Sequence, residues 1–150
     1  MAKLNIVKIG DDTLRKVCRP VEKITPRTVM LLDDMIETMR AADGCGLAAP
    51  QVGILRRIAV VEVEAGNVIE LINPKIIAFA GEQQAEEGCL SIPGRWGVTK
   101  RPMHVTVRAQ NRKGETFEVS GSELLARALC HEIDHLDGKL FIDKMIKEVE

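Results

Sequence analysis

His131-Glu132-Ile133-Asp134-His135 sets two imidazoles four residues apart with a carboxylate beside the first. On a helix, residues four apart lie one turn above each other, so both rings face one way and can grip a single cation. Glu132 then reaches a water on that cation. Random placement of the 3 His and 14 Glu among 150 residues yields His-Glu-x-x-His in about one such chain in 200. Two of the three histidines are spent on this spacing, which predicts a helix and a metal site on it.

Upstream, Leu124, Leu125, Ala128 and Leu129 give the same helix an apolar face to bury. Ser120-Gly121-Ser122-Glu123 has capping-box spacing and predicts its start; Asp137-Gly138 predicts its end. Beyond Leu140-Phe141-Ile142, the last eight residues predict a short amphipathic C-terminal helix. An N-terminal helix is marked by Thr25 as cap, Pro26 in the first turn, and Val29, Leu32, Met35, Ile36 and Met39 at helical steps. It should stop at Asp43-Gly44, with glycine in the left-handed conformation. Between the helices, 57–63, 68–72, 76–80, 103–109 and 116–119 are short and rich in β-branched residues, and Asn111-Arg112-Lys113-Gly114 suits a hairpin turn. Strands without intervening helices predict antiparallel sheets. The expected fold is α+β, with antiparallel β-sheets packed around a central metal-binding helix.

The 150 residues fit one catalytic domain, 1–150, with no repeat or linker to divide it. A net charge of −1 gives no reason to expect nucleic-acid readout or attraction to an anionic membrane. No apolar run is long enough to span a bilayer, and residues 1–12 lack a secretory pattern. Cys18, Cys45, Cys89 and Cys130 form no CxxC pair, which favours reduced thiols and a cytoplasmic setting.

Two histidines do not complete a catalytic metal site; a third protein ligand plus an open position is usual. His104, a carboxylate and a cysteine are the candidates. His104 sits in a strand pattern and reads as a partly exposed strand residue. Cys89, in Glu86-Glu87-Gly88-Cys89-Leu90-Ser91, follows a glycine that permits close backbone approach, and is the better candidate. A structural metal would call for a fourth ligand and leave Glu132 idle. A zinc peptidase of the HExxH type shares the helix motif, but usually draws its third ligand from later in the chain, and no histidine follows Gly138.

Three segments together resemble the signature motifs of the peptide deformylases: Gly44-Cys45-Gly46-Leu47-Ala48-Ala49-Pro50-Gln51, Glu87-Gly88-Cys89-Leu90-Ser91, and His131 through Gly138. Leu14-Arg15, Pro20-Val21 and Arg101-Pro102 extend the resemblance over nearly the whole chain. It implies a hydrolase that removes the N-formyl group from the N-terminal formylmethionine of newly made polypeptides and releases formate. It implies one divalent ion, Fe2+ with Zn2+, Ni2+ or Co2+ able to replace it, on Cys89, His131 and His135. A metal-bound water would attack the formyl carbonyl, with Glu132 as general base and then acid, and with Gln51 and the Leu90 N–H as oxyanion donors. Gly44, Cys45, Gly46, Glu87 and Gly88 would line the bound peptide, and Glu87 and Arg101 would form a buried ion pair beside the metal. The resemblance further implies a monomer acting on nascent chains, with the ribosome exit region as the one larger partner. Two positions depart from the family pattern. Cys130 stands where glutamine is usual, and Arg95-Trp96-Gly97 falls in a variable rim. There Trp96 either stacks on a substrate side chain or packs against the fold.

Overall fold

The computed structural model describes residues 2–150. The N-terminal helix, α1, runs Pro26–Ala41. The Thr25 hydroxyl accepts from the Thr28 N–H, and the Thr28 hydroxyl accepts in turn from the Thr25 N–H. Its end differs from expectation. Asp43, not Gly44, takes the left-handed backbone, at φ 55°. The Asp43 and Gly44 N–H groups donate back to the carbonyls of Arg40 (3.1 Å) and Met39 (3.0 Å), closing a Schellman motif. Gly44 serves another purpose: Leu90 packs against it, and a Cβ there would lie 2.7 Å from Leu90 Cδ1 and make that side chain shift.

Eight strands follow in two antiparallel sheets. They are β1 (Gly46–Ala48), β2 (Ile58–Val61), β3 (Ile69–Ala80), β4 (Gln83–Cys89), β5 (Ile92–Arg101), β6 (His104–Gln110), β7 (Thr116–Ser122) and β8 (Met145–Val149); the helix α2 (Glu123–Leu136) lies between β7 and β8. The larger sheet has the order β1-β2-β3-β6-β7 and the smaller β4-β5-β8. The fold is α+β, as expected, and α2 is its central helix.

Three local expectations are corrected. The runs at 68–72 and 76–80 form one strand, β3, with register shifts between Ile72 and Ala78. Asn73 sits in the irregularity with φ 53°, its amide bonded to the backbone N and O of Val21. Ser120, Gly121 and Ser122 stay in β7, paired with Thr106, Val105 and His104, so α2 starts at Glu123 without the predicted side-chain cap. The C-terminal residues form no helix. Met145–Val149 is β8, which pairs with Trp96–Thr99 of β5, because the open edge of that strand supplies hydrogen bonds that a short exposed helix cannot match. Past the end of α2, Asp137 accepts from Arg57 Nη1 at 2.8 Å.

The larger sheet is covered on both faces. Ile58, Val60 and Ile72 pack with Leu32, Met35 and Met39 of α1, while Ala59, Val61 and Leu71 pack with Leu129, Ile133 and Leu136 of α2. Burial on both faces explains why β2 reads as an unbroken apolar run, Ile-Ala-Val-Val. A third cluster, Leu14, Ile92, Leu140 and Phe141, fastens the smaller sheet to the segment after α2. The larger sheet runs against α2 and β5 of the smaller sheet also touches it, which holds the His-Glu motif in a rigid setting. No helix among the described residues is long and apolar enough to cross a membrane.

Candidate active site

Strand β4 ends at Cys89, a tight turn at Leu90-Ser91 follows, and Cys89 pairs with Ile92 of β5. This hairpin brings the sulfur against α2. Cys89 Sγ lies 3.3 Å from His135 Nε2, and the ligand atoms of Cys89, His131 and His135 all fall within 4.8 Å of one another. A sulfur–nitrogen separation of roughly 3.5 Å is what a tetrahedral dication imposes on such ligands. His104 is remote from this group; it is exposed on β6, and its Nδ1 bonds Ser122 Oγ at 2.7 Å.

The surroundings shift the two imidazoles in opposite directions. Burial opposes protonation of His131, but Glu132, Cys89 and Glu87 outweigh it and raise the imidazole well above its ordinary range. His135, buried beside His131 and within reach of the Arg101 charge, is held low. Glu132 is 4 % exposed, and burial pushes its carboxyl up to about 7. Its Oε1 has no hydrogen-bond partner. Three convergent soft or borderline donors and an unpaired buried carboxylate oxygen fit a bound dication.

Glu87 and Arg101 hold the first imidazole. His131 Nδ1 lies 2.6 Å from Glu87 Oε1, which leaves Nε2 to face the sulfur. Arg101 Nη2 donates to Glu87 Oε1 at 2.6 Å and Nη1 to Asp134 Oδ2 at 2.5 Å; Lys144 Nζ reaches the other Asp134 oxygen at 3.2 Å. Burial alone would raise the Glu87 carboxyl, but the bonds from His131 and Arg101 overcome this and hold it well below the usual carboxylate range. Glu87 nonetheless lines the cleft next to Gly88. Its carboxylate is turned to His131, Arg101 and Thr99.

Gln51 is 1 % exposed and fixed by three contacts. Its Oε1 accepts from the Ala48 N–H at 2.9 Å, and its Nε2 donates to Ser91 Oγ at 3.1 Å and lies 3.6 Å from Cys89 Sγ. Gly44, Cys45, Gly46, Gly88 and Leu90 line a cleft of about 420 Å³ that opens onto His131 and Glu132. Gly46 packs face to face with the general-base candidate: an added Cβ would collide first with Glu132 Oε2 and would lie 2.9 Å from its Cδ and Cγ. Gly46→Ala is thus expected to displace Glu132 and lower kcat by about 10²-fold, the loss produced by ångström-scale misplacement. Formate release at saturating peptide checks this, and a wild-type kcat would refute it. Trp96 lies over Gly88, where a Cβ would meet its ring at 2.7 Å, while half of the side chain stays exposed. Cys130 is buried, and desolvation pushes its thiol up to about 11.

Two supporting residues escaped the sequence reading. Thr99 Oγ1 donates to Glu87 Oε2 at 2.5 Å, and Ser91 Oγ receives the Gln51 amide. Thr99 had a usable signal. Gly97, Thr99 and Arg101 alternate through β5, so a strand there puts all three on the buried face.

The model of the polypeptide deformylase family matches residues 3–150. The chain belongs to this family. The peptide deformylase of Alkaliphilus metalliredigens is 59% identical over 146 residues, 97% of this chain and 99% of that protein. That of Clostridium botulinum is 55% identical over 99% of this chain and all of its own length. Among solved structures, peptide deformylase from Thermotoga maritima superposes with a TM-score of 0.93 at 40% identity, covering 97% of this chain and 99% of that one. The Synechococcus elongatus enzyme in complex with actinonin also gives 0.93, at 39% identity, over 97% of this chain and 82% of its own.

Proposed function

We propose that this deformylase-family chain is a metal-dependent hydrolase that removes the formyl group from the N-terminal formylmethionine of newly made polypeptides and releases formate. The observation that carries the mechanism is the convergence of Cys89, His131 and His135, the first two lining an open cleft with the buried Glu132 carboxylate beside them. These three residues would hold one divalent ion, Fe2+ by preference, with Zn2+, Ni2+ or Co2+ acceptable to the same donors. When bound, such an ion supplies Lewis acidity and makes water a nucleophile near neutral pH.

The chain's own residues do the rest. Glu132, buried and with one oxygen unpaired, takes a proton from the attacking water and delivers it to the departing amine nitrogen. Gln51 Nε2, held by the Ala48 N–H and Ser91, is an oriented donor for the negative charge that develops on the formyl oxygen, with the Leu90 N–H as its companion. Gly44 and Gly46 leave room for an extended peptide to pair with the backbone beside β1. Glu87 and Arg101 fix the tautomer and direction of His131. A cleft tight at the formyl carbon would admit hydrogen there and exclude a methyl group, which gives selectivity against acetylated chains.

We further propose that residues 1–150 act as one catalytic unit, as a monomer in the cytoplasm, on nascent chains near the ribosome exit. Anaerobic purification with metal analysis, coupled to formate release from formyl-Met-Ala-Ser, tests the reading. The expected result is one equivalent of metal and activity lost on chelation. Full activity in metal-free protein, or equal rates on the acetylated peptide, would overturn it.

A further inference from the structure

The cleft wall contains a guanidinium that the mechanism does not use. Arg127 projects from α2 one turn before His131 and lines the cleft with Trp96 and Leu124, two exposed apolar residues. Its one hydrogen bond is long, from Nη1 to the Glu86 carbonyl at 3.4 Å, and its buried Nε has no partner. Among the described residues no carboxylate lies within 4.0 Å of it, although Asp43 and Glu86 also line the cleft. The other arginine of this wall is different: Arg95 is neutralised by a two-point bond to Glu148 at 2.9 and 3.1 Å. Arg127 is thus the unspent cation of the cleft.

We propose that Arg127 is a specificity-determining residue that binds a carboxylate on the peptide downstream of the formylated methionine. The proposal rests on the deformylase reading above. One helical turn separates Arg127 from His131, about 6 Å along the axis, and an extended peptide advances about 3.4 Å per residue. A chain whose formyl group sits at the three ligands therefore brings its second and third residues within reach of the guanidinium. Arg suits a carboxylate better than Lys does, since its planar fork presents paired donors. The carboxylate comes either from an acidic side chain or from the free end of a short peptide. Because the contact is present in the ground state and the transition state alike, it acts on KM and leaves kcat nearly constant between peptides.

The test compares formyl-Met-Ala-Ser-amide with formyl-Met-Glu-Ser-amide, formyl-Met-Ala-Glu-amide and free-acid formyl-Met-Ala-Ser on the metal-loaded full chain. At least one carboxylate-bearing peptide should be favoured over the neutral amide by about tenfold in kcat/KM, carried by KM, the size of one charge-assisted hydrogen bond. A glutamate preference identifies a side chain as the source, and a preference confined to the free acid identifies the chain end. The ratio should fall towards one in Arg127→Leu and persist in Arg127→Lys. In the wild-type and Arg127→Lys proteins alike it should shrink as salt is raised from about 0.05 to 0.5 M. Hydrolysis of all four peptides at equal kcat/KM, or a preference untouched by salt or by Arg127→Leu, overturns the assignment of Arg127 and leaves the deformylase reading standing. Hydrolysis of none of them overturns both.

Discussion

Glu132→Gln is expected to lower kcat/KM for formyl-Met-Ala-Ser by about 10³- to 10⁴-fold, the upper range for loss of a positioned acid–base group. Glutamine keeps the size of the side chain in a site where it is 4 % exposed and packed against Gly46, so the fold should survive. What disappears is the ability to take up a proton and return it. Burial has already pushed the Glu132 carboxyl up to about 7, where both protonation states are accessible near neutrality, and the amide has no such equilibrium. Metal content should be unchanged, because the ligand atoms belong to Cys89, His131 and His135. Formate release combined with metal analysis on the same preparation checks both halves. A variant within tenfold of wild type would end the assignment of Glu132 as proton carrier.

The second large effect is structural. Arg101→Leu removes the one guanidinium between Glu87 and Asp134 from a place where it is 4 % exposed. Two carboxylates are then left facing a low-dielectric interior with a hydrocarbon between them. Breaking a buried pair in this way typically destabilises a protein by about 3–5 kcal/mol. For a chain of 150 residues that corresponds to roughly 10–15 °C in Tm. Because Glu87 also orients His131, metal affinity should drop by about 10- to 100-fold. The pH dependence has a definite sign. Glu87 is held below its ordinary value of 4.5 in the folded protein. Its contribution is therefore fully present above that value and is lost as the pH falls towards the folded one. Thermal melts of Arg101→Leu and wild type should accordingly lie furthest apart near neutrality and converge in acid. An unchanged melting temperature at pH 7 would show that the Glu87–Arg101–Asp134 cluster contributes nothing to stability.

Much of the site was legible in the linear chain because its geometry is local. His131 and His135 owe their common direction to the helix repeat alone, and Thr25-Pro26 announces α1 through capping chemistry that involves only neighbouring residues. The strands that carry the third ligand were less visible. Residues of β4, Gln83-Gln84-Ala85-Glu86-Glu87-Gly88-Cys89, have little β-branched character; they are extended because β5 lies beside them. The C-terminus is the sharpest case. Met145, Ile146 and Val149 fall at helical spacing, yet they form β8 because the edge of β5 is open to them. The end of α1 is a quieter one, since Asp43 takes the left-handed turn and frees Gly44 for the close approach of Leu90.

From the order of residues alone came the family, the α+β class, the central helix and the identity of the metal-ligand candidates, all of which depend on short-range periodicity or on segments matched one at a time. Only the tertiary structure decided that Cys89 Sγ stands 3.3 Å from His135, that the Glu87 carboxylate turns to His131, and that Arg127 stands in the cleft without a carboxylate. Those facts depend on sheet register and on which charges find each other across the fold. Pairing between distant segments is chosen by the packing of the whole chain, and no local pattern encodes it.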